Sequence, residues 1–181
     1  MKMVILDRDG VINIDSEDYI KSPEEWHPIP GSLEAIALLN QHGFTVTIAT
    51  NQSGLARGYY SEEMLQKIHQ KMHDALHHLG GKIEGIFYCP HGPNDDCLCR
   101  KPKPGLLQQI ASTYGLTTLE NVPFVGDSMR DIEAAIAANA KPVLVHTGNG
   151  QKTYQKHMEK LKGIDSFANL WNFAKALSHP F

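Results

Sequence analysis

The sequence predicts an α/β fold in which a central parallel sheet is covered by helices on both faces. Short apolar runs alternate with amphipathic helical patterns throughout the chain, which is the order typical of parallel strands joined by crossover helices. Several of the apolar runs end in acidic or polar residues, and open α/β sheets bind their ligands at the carboxyl ends of the strands. The length of 181 residues and the hydrophobic fraction of 41% suit one domain over residues 1–181.

Five strands are predicted from the apolar runs, at residues 3–6, 44–49, 83–88, 122–126 and 142–146. The helices between them begin at residues whose side-chain oxygens can accept free backbone N–H groups. These predicted N-caps are Ser32, Ser61, Ser128 and Ser166. Gly43, Gly115 and Asn139 are predicted to end three of the helices. Residues 151–163 give only a weak signal.

Charge and hydropathy exclude two classes of protein. Lys and Arg total 17 against 20 Asp and Glu, so there is no overall basic field for a nucleic acid. No apolar stretch approaches the length of a membrane span, and Asp7 interrupts what would be a signal-peptide core. We therefore expect a cytoplasmic protein with neither a nucleic-acid nor a membrane partner.

Two carboxylates follow the first predicted strand directly. Asp7 and Asp9 are two residues apart in the sequence Asp-Arg-Asp-Gly. Acids in such a position can divide the work, one attacking or binding a cation and the other carrying a proton. The alternative is a plain turn, since Asp and Gly are common turn formers.

Two polar loops are candidates for contacts with a substrate. The residues concerned are Asp15, Ser16, Glu17 and Asp18 in the first loop, and Thr50, Asn51, Gln52 and Ser53 in the second. The hydroxyl, amide and backbone N–H groups of the second loop are suitable donors for an oxyanion. The first loop is equally compatible with a solvated connection.

All three cysteines lie within eleven residues of one another, together with a histidine. The four residues are Cys89, His91, Cys97 and Cys99. They supply a tetrahedral Cys₃His set for a structural Zn²⁺ ion, with no position left for substrate. The alternative is small buried hydrophobes beside a surface histidine, but the flanking prolines, glycine and aspartates are unlike a core. A zinc loop would hold Arg100 and Lys101 in place, which favours phosphate binding over a solvated charge run.

The remaining candidates differ in strength. Asp127 again follows an apolar strand directly, whereas Asp131 is explained by the positive end of the next helix. His69, His73 and His77 recur every four residues on one helix. Because no glutamate completes a zinc-binding H-E-x-x-H arrangement, we expect a solvated flank.

Taken in order, these motifs resemble the haloacid dehalogenase (HAD) superfamily of phosphotransferases. The resemblance rests on Asp7-Arg-Asp9-Gly10, Thr50, Lys101 and Gly126-Asp127-Ser-Met-Arg-Asp131. The sequence Thr50-Asn-Gln-Ser-Gly54 and the Cys/His loop look like the D-glycero-D-manno-heptose 1,7-bisphosphate 7-phosphatases of that superfamily. The resemblance covers residues 1–150 and implies a Rossmann-like HAD fold.

The resemblance also implies a reaction. Asp7 would attack phosphorus to give an aspartyl-phosphate, and Asp9 would protonate the leaving oxygen and later activate water. Mg²⁺ would be held by Asp7, the backbone carbonyl of Asp9 and Asp127. Thr50 and Lys101 would stabilise the charge on the transferring group.

For the substrate, the resemblance implies a small sugar phosphate used in heptose and lipopolysaccharide precursor synthesis. Arg100 would help to recognise it, and the loop of residues 15–18 would line the sugar site. Ser128 stands where some relatives have lysine. No insertion long enough for a cap domain follows Asp9 or Gly54, so we expect an open site in a monomer.

Three alternatives remain open at this point. Histidinol-phosphate phosphatases share the fold, the nucleophile and the zinc loop. Receiver domains also place aspartates on a parallel sheet, although Asp9 would give a long-lived phosphoaspartate an unwanted hydrolytic base. The third alternative is a zinc-loop binding module without catalysis.

Overall fold

The computed structural model describes residues 1–179 and contains a six-stranded, fully parallel sheet. The strands are β1 (Lys2–Leu6), β2 (Phe44–Asn51), β3 (Gly85–Cys89), β4 (Pro123–Gly126), β5 (Lys141–Val145) and β6 (Asp165–Phe167). The helices are α1 (Ser32–Gln41), α2 (Glu62–His77), α3 (Gly105–Thr113), α4 (Met129–Ala137), α5 (Gly150–Lys156) and α6 (Leu170–Ser178). The α/β class and the parallel sheet are therefore confirmed.

The order of the strands places the first strand at the centre of the sheet. The order is β3-β2-β1-β4-β5-β6, so successive strands are added on one side of β1 and then on the other. At β1, Leu6 lies beside Ile48 of β2 and Val125 of β4. Such a reversal of strand order opens a crevice at the carboxyl ends of the strands. The residues that follow β1, β2 and β4 therefore meet there.

Helices bury both faces of the sheet, and the alternation along β1 shows how. Val4 and Leu6 pack into a core with residues of α1, α2 and α6. Met3 and Ile5 point the other way, into a core with residues of α3 and α4. Successive side chains of a strand point to opposite faces, so a strand covered on both faces reads as one continuous apolar run.

Two predicted boundaries are wrong near the site. Ser32 is the first residue of α1, and its N-cap is Gly31, with φ of 85°. The Ser32 hydroxyl instead donates to the carbonyl of Ile12 at 2.6 Å and ties the preceding loop to the helix. Strand β2 continues through Asn51 because β3 pairs with it to its end. Thr50 and Asn51 therefore lie on a strand and not in a loop.

The connections after β1 and β2 hold no cap domain. Between β1 and α1 the chain forms a loop with one 3₁₀ turn, Pro23–Glu25. Between β2 and α2 it forms turns up to Ser61, whose hydroxyl oxygen accepts from the backbone N–H of Met64 at 3.1 Å and so caps α2 as predicted. Within residues 1–179, neither connection contains an inserted cap domain, as the sequence predicted.

The carboxyl-terminal segment differs from the prediction. Ser166 lies in β6, an edge strand that the sequence analysis missed, and α6 begins later. Its N-cap is Asn169, whose side-chain oxygen accepts from the backbone N–H of Asn172 at 2.9 Å. Helix α5 begins at Gly150 and covers the first part of residues 151–163, where the sequence signal was weak.

Replacing Asn169, the N-cap of α6, should lower the stability of the protein more than replacing Ser166, the predicted N-cap. Asn169→Ala removes the hydrogen bond to the first turn of α6, and we expect a loss of about 1 kcal/mol in the free energy of unfolding. Ser166→Ala, at an exposed strand position, should change it by less than about 0.5 kcal/mol. Urea unfolding of both variants measures the difference, and a larger loss for Ser166→Ala would contradict this assignment.

Candidate active site

A cavity of about 320 Å³ opens at the carboxyl ends of the central strands. It brings together most of the residues predicted from the sequence. Those lining it are Asp7, Asp9, Asp15, Ser16, Thr50, Asn51, Gln52, Ser53, Arg100, Lys101 and Asp127. Glu17 and Asp18 lie outside it, along shallower depressions beside it. Arg57 and Arg130, to which the sequence analysis gave no role, add positive charge to the lining.

Three buried carboxylates form the floor of the cavity. Asp7, Asp127 and Asp131 each offer an oxygen atom, and these atoms lie within 4.8 Å of one another. Burial and the neighbouring Asp131 raise the pKa of Asp7 to about 7. Burial, Asp131 and Asp7 raise the pKa of Asp127 to about 8. Hard oxygen ligands at this spacing fit Mg²⁺, whose charge would favour the ionised form of each carboxylate.

One lysine carries the positive charge inside this cluster. The Lys101 ammonium lies 3.0 Å from Asp7 Oδ1 and 2.7 Å from Asp131 Oδ1, and it also donates to the carbonyl of Ala49 at 2.9 Å. Burial alone would lower the pKa of Lys101, but Asp131 and Asp7 outweigh burial and raise it. The lysine therefore stays charged beside the predicted nucleophile.

The backbone of Lys101 is fixed by the end of β2. The side-chain oxygen of Asn51 accepts from the Lys101 N–H at 3.0 Å, and the Asn51 amide donates to the Lys101 carbonyl at 3.1 Å. Asn51 thus lines the cavity but uses its amide to hold the lysine. The predicted substrate contact for Asn51 did not include this pairing with the Lys101 backbone.

Asp131 makes more contacts at the site than its position near the start of a helix predicted. Besides Lys101, its carboxylate accepts from the backbone N–H of Asp127 at 3.2 Å and from the N–H and hydroxyl of Ser128 at 3.1 and 2.9 Å. Ser128 is the N-cap of α4, as predicted. The spacing Ser-x-x-Asp is a capping-box pattern, and this signal pointed to a structural role for the acid.

The loop after β5 closes around Asp127. The backbone N–H of Asn149 donates to Asp127 Oδ2 at 2.8 Å, and Thr147 donates to the carbonyl of Gly10 at 2.7 Å. Gly10, with φ of 83°, and Gly148 both pass so close to the Asp127 carboxylate that a methyl group would overlap it. Sequence reasoning recognised Gly10 as part of a motif but missed this approach of two glycines.

The surroundings of Asp9 differ from those of Asp7. Asp9 Oδ1 accepts from Arg8 Nε at 3.0 Å, Arg8 Nη2 at 2.8 Å and Asn13 at 3.0 Å, and its Oδ2 accepts from Gln52 at 3.1 Å. Burial alone would raise the pKa of Asp9, but the Arg8 charge and these hydrogen bonds lower it below its usual value. Asp9 is therefore an ionised, well-oriented carboxylate.

The expectation of a solvated histidine flank is wrong for one of the three histidines. His69 is buried, and its Nε2 lies 3.1 Å from Arg8 Nη1. His73 is half-buried and His77 exposed. The sequence did not reveal the difference, because the partner of His69 lies 61 residues away in the chain.

The predicted zinc ligands come together as one cluster. The ligand atoms of Cys89, His91, Cys97 and Cys99 lie within 4.8 Å of one another. His91 Nδ1 is 3.5 Å from Cys89 Sγ and 3.4 Å from Cys99 Sγ. Three sulfur atoms and one imidazole nitrogen at these separations fit a tetrahedral Zn²⁺ ion. Arg100 donates to the carbonyl of His91 at 3.2 Å, which ties the basic segment to the cluster.

Comparison with known proteins agrees with this geometry. A HAD-hydrolase-like family model matches residues 98–170. The solved D,D-heptose 1,7-bisphosphate phosphatase from B. bronchiseptica, complexed with magnesium and phosphate, aligns with a TM-score of 0.93 and 50% identity over 98% of both chains. The fold and the acidic site thus define a HAD-type phosphatase.

Relatives of similar sequence show which family of HAD phosphatases the chain resembles. The D-glycero-beta-D-manno-heptose-1,7-bisphosphate 7-phosphatase of Pseudomonas aeruginosa is 53% identical over 97% of this chain and 97% of its own length. The Bordetella bronchiseptica enzyme of the same name is 57% identical over 84% of this chain and 85% of its own. The chain belongs to this family of phosphatases.

The Lys101–Asp131 pair should contribute measurably to stability. Asp131→Ala leaves a buried ammonium with one carboxylate fewer and frees the donors of the turn before α4, so we expect a loss of about 2–3 kcal/mol in the free energy of unfolding. The matched control, Asp165→Ala, breaks an exposed pair with Lys141 and should cost less than about 1 kcal/mol. Urea unfolding with EDTA excludes effects of bound metal, and equal losses would refute the comparison.

Proposed function

We propose that this protein is a Mg²⁺-dependent phosphomonoester hydrolase that removes the 7-phosphate of D-glycero-beta-D-manno-heptose 1,7-bisphosphate. The observation that carries the proposal is that Asp7 and Asp9 both line the cavity and that the buried Lys101 ammonium lies 3.0 Å from Asp7. The named activity of relatives that match nearly the whole chain supports this choice of substrate.

In the proposed reaction, Asp7 is the nucleophile. Its carboxylate oxygen bonds to phosphorus while the bond from phosphorus to the sugar oxygen breaks, giving an aspartyl-phosphate. Asp9 is ionised in the free site, so it would first take a proton at Oδ2 when the anionic ester binds and raises its pKa. It would then give that proton to the departing oxygen and take another from the water that hydrolyses the intermediate. Oδ2 suits this task because it accepts one hydrogen bond, from Gln52, whereas Oδ1 accepts three.

Two further side chains would face the transferring phosphoryl group. The Lys101 ammonium balances charge on its oxygens. Thr50 Oγ1 accepts from the Gln52 amide at 2.9 Å, which leaves its hydroxyl hydrogen to donate to a phosphoryl oxygen. We assign both residues to stabilisation of the transition state.

The carboxylates of Asp7 and Asp127 and the backbone carbonyl of Asp9 would hold Mg²⁺, and the buried acidic cluster at Asp7 and Asp127 fits such an ion. When bound, Mg²⁺ would supply charge stabilisation for the phosphoryl oxygens. Asp131 lies in the same cluster, but its oxygens accept from Lys101 and from the turn before α4. We therefore assign it to support of the site.

Substrate recognition would fall to the loops, because no cap domain covers the cavity in the described part of the chain. We propose contacts from Asp15, Ser16, Ser53 and Arg100, all of which line the cavity. Asn51 and Gln52 also line it, and their side-chain amides hold Lys101 and Asp9. Glu17 and Asp18 lie outside the lining, so we propose no contact for them.

We further propose that the Cys₃His cluster binds structural zinc. Its four ligand atoms would complete the coordination of a Zn²⁺ ion and leave no position for substrate. The loop would then hold Arg100 at the cavity through the carbonyl of His91.

For the rest of its biology, we propose that the chain acts as a single-domain monomer in the cytoplasm on a small sugar phosphate. Among residues 1–179, no helix has the length and apolarity needed to cross a membrane.

A panel of phosphate esters tests the proposed reaction. With Mg²⁺, the protein should release phosphate from heptose 1,7-bisphosphate faster than from histidinol phosphate or simple hexose phosphates, and EDTA should stop the release. Asp7→Asn should lower turnover by about 10⁴-fold or more because the nucleophile is lost. Asp74→Asn, an exposed change on α2, is the control for folding. Near-normal turnover by Asp7→Asn would overturn the mechanism, and a preference for histidinol phosphate would overturn the proposed substrate.

Removing one cysteine should perturb the Cys/His loop while leaving the sheet intact. Cys97→Ser should lower zinc content below one equivalent and raise KM, since the segment carrying Arg100 loses its anchor. The far-UV circular dichroism should stay close to that of the wild type. Elemental analysis and kinetics on one preparation measure both effects, and a fully active wild-type protein without zinc would defeat the assignment.

A further inference from the structure

A buried arginine connects the predicted proton donor, Asp9, to helix α2. The Arg8 side chain is fully buried. Its Nε and Nη2 atoms both donate to Asp9 Oδ1, at 3.0 and 2.8 Å, while Nη1 lies 3.1 Å from His69 Nε2 on α2. The guanidinium is thus held on one edge by the acid and on another by the histidine.

We propose that His69, acting through Arg8, is a positioning residue that fixes the carboxylate of Asp9 for proton transfer. This inference rests on the proposed function, because it concerns the acid of that reaction. His69 itself does not line the cavity, so its effect on substrate would be indirect.

The geometry explains why Arg8 needs this third contact. A guanidinium is planar and orients a carboxylate well only when its own plane is fixed. Because Arg8 and Asp9 are adjacent in the chain, their mutual contact alone does not anchor either of them to another element. Arg8 Nη2 also reaches the side-chain oxygen of Gln52, but only at 3.5 Å. The shorter contact at 3.1 Å makes His69 the main anchor, and α2 packs into the core through Ile68 and Met72.

The other partners complete the orientation. Asn13 donates to Asp9 Oδ1 at 3.0 Å, so three donors hold that oxygen. Oδ2 then remains for Gln52 and the reacting oxygen. The Gln52 carbonyl oxygen in turn accepts from Tyr60 at 2.6 Å.

His69 has the ionisation state that this contact requires. Burial, followed by the adjacent Arg8 charge, lowers the pKa of His69 to about 3. A neutral imidazole can present the Nε2 lone pair to an arginine N–H. An apolar side chain at this position would leave a buried arginine donor without a partner.

Three variants of His69 separate positioning from packing. Gln places its amide end near the position of Nε2, so His69→Gln should keep an acceptor for Arg8. Asn reaches only as far as Nδ1, and Leu has no polar atom, so His69→Asn and His69→Leu should both lose it. His77→Leu changes an exposed histidine on the same helix and serves as the control.

The readout is kcat/KM on two esters with different leaving groups. For single-phosphate esters, kcat/KM reports the steps up to departure of the leaving group. A sugar oxygen needs a proton to depart, whereas 4-nitrophenolate does not. His69→Leu and His69→Asn should therefore lower kcat/KM by about 10- to 100-fold for a hexose phosphate, with little change for 4-nitrophenyl phosphate. His69→Gln should recover most of the loss.

Other outcomes would overturn the inference. Equal losses on both esters would indicate a general disturbance of the site, and unchanged rates on both would show that Arg8 needs no anchor. If His69→Leu fails to give the near-UV circular dichroism of the wild type, the comparison of His69→Asn with His69→Gln decides in its place. Should wild-type protein cleave no ester, the proposed function itself would fail. Normal wild-type activity without the leaving-group difference would remove only the role of His69.

Discussion

The buried ammonium of Lys101 is the charge on which the acidic edge of the sheet depends. It lies within 3.0 Å of Asp7 and Asp131, inside a group of three buried carboxylates. Carboxylates buried so close together raise one another's pKa values, and a nearby cation opposes that effect. If all three were ionised, one lysine would leave two negative charges in the cluster. One divalent cation would balance them, so the lysine and such a cation would complement each other in the charge balance of the cluster.

The same edge of the sheet gives two neighbouring acids opposite tendencies. Burial and Asp131 raise the pKa of Asp7 to about 7, whereas the Arg8 charge and the hydrogen bonds from Asn13, Arg8 and Gln52 lower that of Asp9. Two carboxylates of one chemical type thus differ in how readily they ionise because their environments differ. Asp7 depends on cations for its ionised form, while the protein's own hydrogen bonds orient Asp9. Cations beside Asp7 favour its ionised form, which is the form that a carboxylate nucleophile needs.

The sequence predicted those parts of the site whose residues are close in sequence or end neighbouring strands. Asp7, Thr50 and Asp127 were predictable because each follows an apolar run, and parallel strands end at one edge. The Cys/His cluster was predictable because its four residues are close in sequence. Contacts between distant segments were not: the partner of His69 lies 61 residues away, and Lys101 pairs with Asn51 across 50 residues. Strand β6 was missed because an exposed edge strand of three residues has no apolar pattern.

Arg100 and Lys101 are adjacent, but different parts of the structure hold them in place. Lys101 is fixed at its backbone by Asn51 of β2 and at its ammonium by two carboxylates. Arg100 instead donates to the carbonyl of His91, a member of the Cys/His cluster. Loosening that cluster therefore acts first on Arg100, while β2 continues to hold its neighbour. The loop would consequently tune how the open cavity recognises its substrate, and the sheet would preserve the chemistry at Asp7.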